Sequence, residues 1–147
     1  MIRELNDDTV ALLQECSAGS KMAMDSIRQI KNTVEDKQLR QIMDKYFDGH
    51  SQLEAKCRQM LNDVGAPDKE PGFMAYTMSN ISSKAKMLMD DDTSTAAEIL
   101  TDGCNMGVKS LSGFINEYKN ADEKSLAIAE KLRRLEENMM GDLRPML

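Results

Sequence analysis

Four stretches of this chain repeat apolar residues at alternating steps of three and four, and that 3.5-residue period restricts the chain to helices packed side by side. The first stripe runs Leu13, Cys16, Ser20, Ala23, Ile27, Ile30, Val34. The second is Met43, Tyr46, His50, Leu53, Cys57, Met60, Val64. Ala97, Leu100, Cys104, Gly107, Leu111, Phe114 and Tyr118 form the third, and Ile128, Leu132, Leu135, Met139 and Leu143 the fourth. Three of these stripes carry one polar residue near their middle, Ser20, His50 or Cys104.

Capping and stop signals bound the helices. Asp7, Asp8 and Thr9 are capping-type residues, so a first helix is expected from about Thr9 to Asn32. A second is expected from Glu35 to Val64, joined to the first by the short Thr33–Asp36 junction as a helical hairpin. Gly65-Ala66-Pro67 through Pro71-Gly72 reads as a linker, followed by a short helix from Phe73 to Met89. The Asp90-Asp91-Asp92-Thr93-Ser94 run caps a helix from Thr95 to Lys119, and a last helix covers Asp122 to Leu143 ahead of Pro145. The expectation is one all-α domain over residues 1–147: an antiparallel four-helix bundle in which two hairpins are joined by a long crossover carrying the extra short helix.

Composition narrows the function classes. The chain has 147 residues, enough to bury a core without disulfides. Its net charge of -6 argues against nucleic-acid or anionic-membrane partners, and the absence of Trp argues against base stacking. No apolar run is long enough to span a membrane, and MIRELNDDTV has no secretory pattern, so a cytoplasmic location is expected. Cys16, Cys57 and Cys104 are scattered and odd in number, which suits reduced core thiols.

The chemistry-bearing residues are few. A di-iron carboxylate bundle needs a Glu from each of two helices and Glu-x-x-His from each of the other two. Here Phe47 stands three before His50, the last helix offers Glu137-x-x-Met140, and Ser20 and Cys104 occupy the places of the lone glutamates. The remnant site is therefore Ser20, His50, Cys104 and Glu137, without a working di-iron centre. Glu15 and Asp102 are off their stripes, and Glu136, Glu137 and Asp142 read as a solvated face. His50 reads as a core histidine with Tyr46 as a local partner. The alternative is a softer zinc or copper site built on His50 and Cys104, with Cys16 or Cys57. The 13 methionines read as core filler, because residues two apart, as in Met22/Met24 and Met87/Met89, cannot chelate from one helix. Gly103, Gly107 and Ser110 form a small-residue ridge that serves either packing within the chain or a homodimer face. With one His and no nucleophile set, acid–base catalysis has little to work with.

Taken together, the Leu12-Leu13…Ala18-Gly19-Ser20 start, the Leu53…Leu61…Val64-Gly65 helix end, the acidic linker and Ile99-Leu100-Thr101-Asp102-Gly103-Cys104 running on to Tyr118 resemble ferritin-like bacterial proteins of unknown function related to the PA-type domain. The chain also looks like the structural, spore-coat-type ferritin-like proteins. The resemblance implies a four-helix bundle and, in metal-competent relatives, an acid after the Gly of each repeat, where this chain has Ser20 and Cys104. The expected role is non-enzymatic, structural or protein-interacting: a bundle without its di-metal site that acts by association, as in a homodimer, with no resident cofactor. Zinc, copper or iron belongs to the alternative.

Overall fold

The structure, a computed structural model, describes residues 6–69 and 92–147. Its elements are α1 (Asp7–Lys31), α2 (Lys37–Asp63), α3 (Thr93–Glu117), α4 (Glu123–Leu143) and a closing 3-10 turn (Arg144–Met146). The expected short helix from Phe73 to Met89 lies outside the described residues.

Each long helix begins on a short side-chain oxygen that accepts from a backbone N–H of the first turn, which would otherwise lack a partner. Asn6 caps α1 through Thr9, Asp36 caps α2 through Leu39, Asp92 caps α3 through Thr95, and Asp122 caps α4 through Ser125. Helix starts therefore fall a residue or two from the expected ones, where the cap side chain decides. Between α1 and α2, the Arg40 guanidinium donates to the carbonyls of Lys31 and Val34 at 2.9 and 2.7 Å, holding the hairpin turn. Past the end of α2, Gly65 takes a left-handed φ of 70°, a conformation that glycine adopts without steric cost.

Two apolar clusters lie at opposite ends of the bundle. One joins Leu12, Leu13, Cys16, Cys57, Leu61, Leu111, Ile128 and Leu132. The other joins Ile27, Ile30, Leu39, Met43, Tyr46, Ala97, Leu100, Met139 and Leu143. The end to which each helix contributes its first residues gives its direction: α1 and α4 run one way, α2 and α3 the other. Chain leaving α2 must therefore travel the length of the bundle to start α3, which is the expected crossover topology. Within the bundle α1 packs on α2, α3 and α4, and α4 packs on α2 and α3. At the end where α1 and α4 begin, Asn6 Nδ2 donates to the Asn120 carbonyl at 2.6 Å and the Asp122 N–H donates to Thr9 Oγ1 at 2.8 Å.

In two helices the buried stripe shifts by one residue from the strict repeat. On α2 it continues past His50 through Glu54, Cys57 and Leu61, leaving Leu53 and Met60 half-buried. On α4 it runs Leu132, Glu136, Met139, Leu143, with Leu135 at the edge. A helix of 3.6 residues per turn drifts against a 3.5 repeat, and the drift brings acids inward at both places.

Candidate functional site

Between the two apolar clusters lies a polar layer, made of the buried residues Ser17, Ser20, His50, Glu54 and Glu136, with Cys104 beside it. His50 sits at its centre with no exposed surface. Its Nδ1 is 2.8 Å from the Tyr46 carbonyl and its Nε2 is 2.5 Å from Glu136 Oε1. The Tyr46 carbonyl can only accept, which places an N–H on Nδ1, and Nε2 and the Glu136 carboxyl share the second proton as a buried, charge-assisted pair. Burial pulls the His50 pKa down; the Glu136 hydrogen bond and charge, with the Tyr46 carbonyl, more than offset this and leave it raised above 6.5. The Cys104 thiol lies beside Glu136, and burial first, then that carboxylate, push its pKa far up. A thiol held this way is a poor nucleophile.

One turn from His50, Glu54 meets the Ser17 hydroxyl at 3.5 Å and Arg58 at 3.7 Å. Ser20 Oγ is buried and makes no hydrogen bond among the described residues. On the α1–α2 face, the Cys16 thiol stands beside that of Cys57, and this neighbour together with burial raises its pKa. The Tyr46 hydroxyl turns away from His50 and donates to Asp142 at 2.5 Å; burial and that carboxylate push the phenol up.

Several expected positions change. Glu137 is exposed, and the acid that the last helix contributes to the core is Glu136, because Leu132, Glu136 and Met139 share one face. The Glu136–Glu137–Asp142 face is thus only partly solvated: Glu136 is buried and Asp142 is held by Tyr46 and Lys45. Tyr46 partners His50 through its carbonyl. Glu54 and Ser17 fall outside the strict repeat; the signal that finds Glu54 is its step of four from His50, which keeps the acid on the face of the histidine.

Alongside the polar layer a cavity opens between α1 and α3, lined by His50, Cys104 and Glu136 on its floor. The room open to the centre of a water molecule is about 70 Å³, several times what one water needs. Its walls are mainly apolar, including Met22, Ile27, Leu100, Leu111, Phe114 and Met139. Gly103, Gly107 and Ser110 line it from α3, so the small-residue ridge faces α1 within the chain. Gly107 also makes room for the core acid: a methyl added there would lie 3.2 Å from Glu136 Cδ. Ser20 is not among the lining residues, whereas His50 and Cys104 share the cavity and both reach Glu136.

The described residues do not bring a di-metal donor set together. Among the described residues no three His, Cys, Asp or Glu side chains are placed to hold one metal ion. His50 and Glu136 are bonded to each other, and the position three after Glu136 is Met139.

The helices and their packing make an all-α four-helix bundle with a polar layer in its middle. Among solved structures the chain is similar to Dps92 from Deinococcus radiodurans, with a TM-score of 0.72 over 95% of this chain and 86% of that chain. Sequence identity is 15%, so the likeness is one of fold. No protein-family model and no curated protein matches the chain. Among the described residues, no helix is long and apolar enough to cross a membrane.

Proposed function

We propose that this protein is a non-enzymatic ferritin-like bundle, without a working di-metal centre, that binds a small, largely apolar molecule between α1 and α3. One observation carries the reading: a cavity with apolar walls and a few convergent polar groups opens onto the middle of the bundle. Helix chemistry supports it. Glycine inside a helix costs about 1 kcal/mol against alanine, yet α1 and α3 place Gly19, Gly103 and Gly107 along this cavity. An added Cβ at Gly19 meets nothing within 4 Å, so no packing demand from the described residues accounts for that glycine. The only histidine has both ring nitrogens engaged, so its imidazole is not available as a free base.

Titration of ¹⁵N-labelled protein with toluene tests this. Saturable amide shifts centred on Gly19, Gly103 and Gly107 are expected. Gly19→Leu should abolish them, and Gly113→Leu should leave them intact, because Gly113 also has open space but lies outside the cavity. Shifts that do not saturate, or that persist in Gly19→Leu, would rule the reading out.

A second reading, a zinc or copper site on His50 and Cys104, is favoured by one observation: both side chains reach Glu136 from opposite helices. It requires the His50–Glu136 bond to break and the thiol to ionise. Metal that co-purifies at one equivalent, and is lost in both His50→Ala and Cys104→Ala, would establish it in place of the first.

A further inference from the structure

The strongest hydrogen-bonding group on the floor of the cavity is an acceptor, the Glu136 carboxylate. His50 donates from Nδ1 to the Tyr46 carbonyl at 2.8 Å and from Nε2 to Glu136 at 2.5 Å. The Cys104 thiol stands beside the same carboxylate. A carboxylate has about four lone-pair positions, so Glu136 keeps acceptor capacity after its bond to His50. Its side chain lies against Gly107, whose Cβ would stand 3.4 Å from Oε2. The missing side chain leaves the carboxylate bordering the cavity that both residues line. At the mouth Glu15 is paired with Lys69, and on the walls Ser26 and Ser110 carry hydroxyls.

We infer that the cavity selects an uncharged, apolar molecule ending in a hydroxyl, an aliphatic alcohol or a phenol, whose O–H donates to Glu136. This rests on the reading of the cavity as a ligand site. A carboxylate-ended molecule of the same length brings a second negative charge beside Glu136 in a poorly solvated place and has no proton to give. An ether accepts only and leaves the floor unsatisfied.

Calorimetric titration of the full chain with 1-octanol, octyl methyl ether and octanoate separates these cases. The alcohol should bind about tenfold tighter than the other two, the size of one hydrogen bond to a charged acceptor. In Glu136→Gln, checked for folding by circular dichroism, the discrimination against octanoate should narrow, since the charge is gone and the amide supplies a donor. Binding of all three with equal affinity, or tightest binding of octanoate, would overturn the inference while leaving the cavity a ligand site. Absence of binding by all three, together with no toluene response, would overturn the cavity reading itself.

Discussion

His50 and Glu136 show how one residue pair sets the character of the core. Each would be an expensive group to bury alone, and each is acceptable because the other is there. Replacing either His50 or Glu136 by alanine should destabilise the fold by about 3–5 kcal/mol, because an uncompensated polar group is left inside. The double variant should lose clearly less than the sum of the two, and chemical denaturation of all four proteins gives the coupling directly. The pair also has a pH signature. The folded-state pKa of His50 is raised, so its contribution is fully present below the ordinary value of 6.5 and is lost as pH rises through the folded value. The urea midpoint should therefore fall as pH climbs above 6.5, and His50→Gln should remove that part of the slope. A midpoint that climbs over the same interval in the parent protein would contradict the ion pair.

Helices α1 and α3 face each other with too few side chains between them, and their glycines differ in what they do. Gly107 borders Glu136 at a distance an added methyl would crowd, whereas Gly19 borders open space. Gly19→Ala should therefore stabilise the protein by up to about 1 kcal/mol through helix propensity alone. Gly107→Ala should destabilise it, because Glu136, held by His50, must give by a few tenths of an ångström to make room. Thermal unfolding of the two variants checks both signs at once, and a gain in Gly107→Ala would mean that the α3–α4 contact is looser than the geometry shows. Gly49 on α2 marks the tight crossing on the other side, where an added methyl would stand 2.8 Å from Leu135 Cδ1. The groove between α2 and α4, lined by Gly49, Leu53 and Leu135, is thus narrowed at Gly49, whereas the cavity between α1 and α3 is bordered by Gly19 with open space around it.

For the whole molecule, the two apolar clusters and the capped helix ends carry the stability, with no disulfide, since all three cysteines are free and buried. Neither the removal of divalent metal nor its addition should then matter to folding. Melting temperatures with a chelator and with added zinc are expected to agree within the error of the scan; a shift of several degrees with zinc would mean that a metal binds the native state. In the polar layer between the clusters His50 bonds to Glu136 and Ser17 to Glu54, while Ser20 makes no hydrogen bond among the described residues.

Periodicity, caps and breakers determined the four helices, their hairpin pairing and the crossover, because a 3.5-residue stripe is buried at this length by packing helices side by side. The same stripes place His50 and Cys104 in the core. The identity of the core acids was decided only by tertiary structure. Glu136 and Glu137 are adjacent, and a rotation of about 100° separates buried from exposed; the strict repeat points Leu135 inward, whereas the drift of a real helix against its neighbours turns Glu136 in and Glu137 out. Glu54 enters the core by the same drift on α2. The cavity was equally illegible: small residues on α3 are compatible with close packing or with empty space, and the distance between α1 and α3 belongs to the assembled bundle, not to any one segment of the chain.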